Sequence, residues 1–245
     1  MNDNKHFYSQ NFDRIKRKKG NIKFLVFHYT GMKTEKSALK RLLDNNSKVS
    51  CHYFIKSNGS IINLVPDLYV SWHAGISYWK KIKKLNKFSI GIEIHNPGHQ
   101  HGYKKFSNKQ INSIKYLSLK LAKKYNLKKE HYLGHSDIAP DRKKDPGEKF
   151  PWEFLSKYQI GLWHSLDKKL LKKYRFKEIN NLNKILFIRY LSKIGYFFEK
   201  NKANSIIFAI IAFQRRFRPE VINGKIDLEC LEIAKNLIKY LVKKH

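Results

Sequence analysis

Residues 134–152 read "GHSDIAPDRKKDPGEKFPW". One histidine, three aspartates, one glutamate and four Lys/Arg share this stretch with three prolines. No regular element accommodates that mixture, because proline removes a backbone donor and Pro146-Gly147 is a turn pair. The expectation is a rigid loop over 134–147 that is neither helix nor strand and holds His135 and Asp145 in fixed places. Just before it, "HYLG" (131–134) has the texture of a short strand. His135 therefore stands at a strand end, where open α/β sheets place functional groups.

Working outward, the same texture recurs. "IKFLVFHYTG" (22–31) is an apolar run closed by Thr-Gly and reads as a buried strand with His28 near its end. "TEKSALKRLLDNN" (34–46) has apolar residues at helical spacing behind Thr34 as N-cap. "SCHYFIKSNGSIINLVP" (50–66) is a hairpin around Asn58-Gly59, and "FSIGIEIHN" (88–96) is strand-like. Ile111, Ile114, Leu117, Leu121 and Tyr125 make an amphipathic helix of 107–127, capped by Ser107 or Asn108. Strands and helices thus alternate to about residue 157, which predicts an α/β domain: a mixed central sheet flanked by helices. From about residue 165 only helical patterns remain, and three of them make a small three-helix domain over 165–245. Residues 1–20, "MNDNKHFYSQNFDRIKRKKG", read as a basic tail or loosely packed arm, leaving 21–160 as the larger domain.

The composition is extreme in one respect. Lys and Arg number 51 against 19 Asp and Glu, a formal charge of +32 over 245 residues. A polyanionic partner is the first thought. But the lysines are spread along the whole chain in short pairs, with no finger spacing and no aromatic RNA-binding motif. The reading is a solvated basic surface and no specific nucleic-acid partner. Cys51 and Cys230 are far apart, which excludes a disulfide framework. The longest apolar run, "IIFAIIAF" (206–213), falls short of the ~20 residues that cross a bilayer. The N-terminus lacks the apolar stretch of a signal peptide.

Two histidines and a carboxylate with a fourth position open to water make a catalytic rather than a structural zinc set. His28, His135 and Asp145 supply those residue types from a strand end and a rigid loop. Glu93 lies between Ile92 and Ile94 and shares its strand face with His95. It reads either as a carboxylate on a solvated sheet face or as a general base beside a metal. On spacing alone His95 could itself be a ligand.

"VFHYTG", "SCHYFI", "VSWHAGISYW", "SIGIEIHN" and above all the 134–152 stretch closely resemble the zinc-dependent N-acetylmuramoyl-L-alanine amidases of the amidase-2 type. These share a fold with phage T7 lysozyme and the peptidoglycan recognition proteins. The resemblance spans about 21–157, and "AFQRRFRPEVINGKID" (212–227) resembles the C-terminal three-helix peptidoglycan-binding module of the AmiD-type branch. It implies one Zn²⁺ ion on His28, His135 and Asp145, with Glu93 as catalytic acid/base and Lys143 as oxyanion donor. It further implies that a zinc-bound water cleaves the amide between N-acetylmuramic acid, or its anhydro form, and L-alanine of a stem peptide. Tyr29, Trp72, His73 and Asn96 are then expected along the substrate groove, His52 in a structural role, and His95 outside the ligand set. Peptidoglycan or muropeptides are the implied partner, and a non-catalytic recognition protein is the alternative. The missing signal points to the cytoplasm and the family to the cell envelope.

Overall fold

The computed structural model describes residues 8–199 and 202–242. In chain order the elements are β1 (Phe12–Asp13), β2 (Phe24–Tyr29), α1 (Glu35–Leu43), β3 (Tyr53–Ile55), β4 (Ile61–Asn63) and β5 (Val70–Ser71). There follow β6 (Tyr78–Trp79), β7 (Ile82–Lys83), β8 (Ser89–Ile94), α2 (Asn108–Tyr125), β9 (Tyr132–Gly134), α3 (His135–Ile138) and α4 (Trp152–Ser156). The C-terminal part is helical: α5 (Lys168–Tyr174), α6 (Asn181–Ile194), α7 (Ala203–Phe217) and α8 (Leu228–Val242).

The main sheet has the order β4-β3-β8-β2-β9. β3, β8, β2 and β9 run parallel, and only β4 is antiparallel, paired with β3 across the Asn58-Gly59 hairpin. Mixed α/β architecture is therefore what the alternation of patterns described. Because β8 and β2 are interior parallel strands, both faces are covered and their sequences are nearly continuous apolar runs. Ile90, Ile92 and Ile94 of β8 are fully buried and share one cluster with Ile114, Leu117 and Leu121 of α2. Burial of such a side chain is worth ~1.5–3 kcal/mol, so this face fixes the register of β8. Ser107 caps α2 in a capping box with Gln110, and Thr34 caps α1.

Strand alternation sends Val26, His28, Gly91 and Glu93 to the opposite face. In the parallel register His28 lies beside Glu93. One part of this face is covered by α1, through Ala38 and Leu42 packed with Phe54 and Leu64. The other part is covered from the C-terminal helices. Val26, Leu133 and Ile138 belong to a single apolar cluster with Phe187 and Leu191 of α6, Phe213 of α7 and Ile233 and Leu237 of α8. Among the described residues the helices beyond residue 165 are four, since the basic segment Lys168–Tyr174 is also helical, and they share a core with the sheet.

Two expectations change on the structure. Residues 8–20, expected as part of a basic tail, are anchored to the fold by the buried Ser9, Asn11, Phe12 and Arg17, whereas residues 1–7 lie outside the described residues. Arg17 donates to the carbonyls of Asp67, Asn86 and Ser89, which is why a residue from a basic run can be buried. The stretch 134–147 is not wholly irregular either. His135–Ile138 forms one helical turn, because Asp137 reaches back to accept the Gly134 N–H at 2.7 Å, satisfying an otherwise orphaned donor.

Candidate metal centre and active site

His28 lies near the C-terminal end of the interior strand β2, His135 opens α3 directly after β9, and Asp145 follows on the proline-held loop. Their side chains converge. His28 Nδ1 lies 2.9 Å from His135 Nδ1, and each nitrogen is 3.0 Å from Asp145 Oδ2. All three residues are buried, and among the described residues they are the one group of His, Cys, Asp or Glu arranged to hold a metal ion.

The far side of each ring decides what this triangle can hold. His135 Nε2 is 3.2 Å from the carbonyl oxygen of Ala74, which can only accept, so Nε2 carries a proton and the neutral ring offers its lone pair at Nδ1. His28 Nε2 faces His73 Nδ1 at 3.0 Å. With a proton there too and no charge on either ring, three lone pairs converge within 3.0 Å of one another. A cation satisfies all three at once. A tetrahedral ion with ligand bonds of ~2.0–2.2 Å has edges slightly longer than these, so the triangle fits zinc after a small relaxation.

The electrostatics agree. Burial, with the neighbouring His135, pushes His28 down to about 4, so it is a neutral, ligand-competent imidazole at pH 7. Glu93 is different. Burial first, and Asp145 second, push it up to about 8, with Lys143 acting against them. Its Oε2 is enclosed without a hydrogen-bond partner. A buried carboxyl with raised basicity and an orphaned oxygen, beside such a triangle, marks a candidate functional group.

A cleft of about 640 Å³ opens over this centre. His28, Glu93, His135, Lys143 and Asp145 all line it, as do Tyr29, Trp72 and His73. Asn96, expected there, does not. It is buried, with its amide donating to the Lys104 carbonyl and its side-chain oxygen accepting from Gly98, so it braces the loop behind the cleft. His73 reaches the cleft only marginally, and its ring nitrogens are both engaged below the surface. His52 is structural: Nδ1 accepts the Gly91 N–H and Nε2 faces the Tyr69 carbonyl. His95 is outside the triangle, beside Thr30 Oγ1.

The sequence reading missed most of the rim of Arg, Lys and His side chains. Arg41, His99, His101, Arg142 and Lys144 surround the cleft with Lys143. His99 bridges Tyr29 Oη and Glu148, and Arg142 clasps the carbonyls of Ala74 and Ile76. Only Arg142 and Lys144 had a signal, their place in the 134–152 stretch. The others come from loops whose approach is a matter of tertiary packing.

Buried neutral histidines have a consequence for stability. Burial lowers His28 to about 4, His52 to about 3 and His164 to about 4, and holds His73 well below the ordinary value. Between these values and the ordinary 6.5 the unfolded chain binds more protons than the folded one, so stability rises with pH across that window and is lost as pH falls through it. Glu93 has the opposite slope up to about 8, but it is one group against four. Metal-free protein is therefore expected to lose several kcal/mol between pH 6.5 and 4. Each histidine held neutral in the fold alone contributes at most ~1.4 kcal/mol per pH unit, less once the structure relaxes around the incoming proton. Urea midpoints across this range check it, and a flat profile contradicts it.

Comparison with known proteins identifies the family. Residues 18–148 match the N-acetylmuramoyl-L-alanine amidase family, just over half of the chain. The chain is 34% identical over 231 residues to N-acetylmuramoyl-L-alanine amidase AmiD of Escherichia coli K12, covering 89% of this chain and 83% of that one. The structure of E. coli AmiD with its substrate anhydro-N-acetylmuramic acid-L-Ala-D-gamma-Glu-L-Lys superimposes with a TM-score of 0.79 at 33% identity, over 93% of both chains. Pseudomonas aeruginosa AmpDH3 in complex with anhydromuramic pentapeptide gives a TM-score of 0.78 at 28% identity, over 98% of both. In sequence and fold, the chain belongs to the N-acetylmuramoyl-L-alanine amidase family.

Proposed function

We propose that this chain is a zinc-dependent amidase that hydrolyses the bond between N-acetylmuramic acid, in particular its anhydro form, and the L-alanine of a peptidoglycan stem peptide. The observation that carries it is the buried triangle of His28 Nδ1, His135 Nδ1 and Asp145 Oδ2, within 3.0 Å of one another, beside an unpartnered carboxylate oxygen of Glu93. The anhydromuramic peptides held by AmiD and AmpDH3 support the substrate class.

His28, His135 and Asp145 would hold the ion. Bound zinc supplies Lewis acidity for the amide carbonyl and brings the pKa of a water to ~7. Glu93, on the same sheet face as His28, is placed to take the proton of the attacking water and return it to the departing amine of L-alanine. Its burial keeps it basic, while a nearby cation shifts it back toward the ionised form that a base requires. Lys143, on the proline-held loop at the cleft, is the donor for the oxyanion that develops on the former carbonyl. Hydrolysis then leaves a muramyl carboxylate and a free peptide amine. The rim of Arg41, Arg142 and Lys144 is complementary to the carboxylates of stem peptides. A wall-binding role for the C-terminal helices belongs to the same reading, supported by the match to AmiD, which extends through them. No described helix is long and apolar enough to cross a membrane. An envelope location is supported by the likeness to AmiD alone.

The test is metal content read alongside hydrolysis. The wild-type chain is expected to bind one equivalent of zinc, and His28→Ala to lose zinc and muropeptide hydrolysis together. Stoichiometric zinc retained by His28→Ala would remove His28 from the ligand set.

A further inference from the structure

Below the metal triangle runs a chain of hydrogen bonds with a forced direction. Ser89 Oγ donates to the Leu85 carbonyl at 2.6 Å, which commits its single proton. His73 Nε2, 3.1 Å from that oxygen, must therefore donate to it. A neutral imidazole protonated on Nε2 is bare on Nδ1. His73 Nδ1 must then accept the Nε2–H of His28, 3.0 Å away, which leaves His28 Nδ1 bare and aimed at His135 and Asp145. One backbone carbonyl thus sets the tautomers of two histidines in series.

The surroundings keep His73 in this role. It is buried, its backbone N–H donates to Asn86 Oδ1, and its ring meets His28 edge-on at 5.1 Å. Gly91, on the central strand, makes the space. A Cβ at that position would lie 2.4 Å from the His73 ring, so no residue but glycine admits it. The glycine of "SIGIEIHN" is thereby tied to the histidine of "WHAG".

We propose that His73 is a positioning residue: its bare Nδ1 holds His28 as the Nε2–H tautomer and so presents the Nδ1 lone pair to the metal, with Ser89 orienting His73 and Gly91 admitting it. The inference rests on the metal-binding reading above. Partners of this kind raise the basicity of a ligating imidazole and fix its ring, and losing one typically weakens metal binding 10–100-fold.

The test compares three proteins by zinc competition against a chelator, with the melting temperature of each metal-free protein as a folding control. His73→Phe keeps a ring but offers no acceptor, and zinc affinity is expected to fall ~10–100-fold. His73→Asn places an oxygen where Nδ1 was and is expected to recover most of the loss. A long-range ¹⁵N–¹H spectrum of the metal-free wild type should show His28 protonated on Nε2 and not on Nδ1. This needs no variant, and it decides the matter if His73→Phe fails to fold. Wild-type affinity in His73→Phe, or a His28 proton on Nδ1, overturns the proposal. Absence of zinc binding by the wild type instead overturns the metal reading itself.

Discussion

Glu93→Gln is expected to lower muropeptide hydrolysis by ~10²–10⁴-fold, the range for losing a general acid/base, while zinc remains bound at one equivalent. Glutamine has nearly the volume of glutamate, so the packing of the central strand should survive. It also relieves a strained electrostatic situation. Glu93 is pushed up to about 8 by burial and by Asp145, and one oxygen has no partner. Replacing it with a neutral amide is therefore expected to leave the metal-free protein at least as stable as wild type at pH 8. Loss of activity with retained metal and undiminished stability separates a chemical role from a structural one. Near wild-type turnover in Glu93→Gln would instead place Glu93 among solvated or merely tolerated carboxylates.

Arg216→Met is expected to cost about 3–5 kcal/mol, the range for breaking a buried ion pair from one side. Arg216, on α7, reaches across to α3, where Nη1 lies 2.5 Å from Asp137 Oδ2 and Nη2 donates to the Tyr132 carbonyl. Its guanidinium also stacks on Trp152 at 4.0 Å. Tyr196 donates to the other oxygen of Asp137 at 2.7 Å, from the segment after α6. Removing Arg216 leaves a carboxylate 1% exposed with only neutral donors. Because Asp137 lies two residues from His135, zinc affinity should fall along with stability. The double variant Asp137→Asn/Arg216→Met is expected to recover part of the loss, since neither charge is then left unpaired. Urea unfolding of the single and double variants measures this. A change below 1 kcal/mol in Arg216→Met would mean the latch contributes little.

How far the sequence carried these readings depends on the range of the interaction. The hairpin at Asn58-Gly59, the cap at Ser107 and the isoleucine alternation of β8 are local signals, and each element formed where its pattern lay. His28, His135 and Asp145 were legible because each occupies a marked place, a strand end or a proline-held turn. Arg17 was not, because a basic run looks the same whether its guanidinium is solvated or closed over carbonyls from two other segments. Asp137 lies within the most informative stretch, yet its partner is 79 residues away on α7. The direction of the His73 chain depends on which atom of Ser89 donates, a fact of geometry alone. Asn96 shares its strand's motif with Glu93 but turns into the loop instead of the cleft.

The most direct test of amidase chemistry at this centre is mass spectrometry of an anhydro-disaccharide tetrapeptide incubated with the purified protein, with chelator and after zinc is restored. The expected result is free tetrapeptide and an anhydro-disaccharide acid, abolished by chelator and recovered with zinc. Untouched substrate in the presence of one bound zinc would contradict it, and would leave a protein that holds the metal and recognises muropeptides without cleaving them.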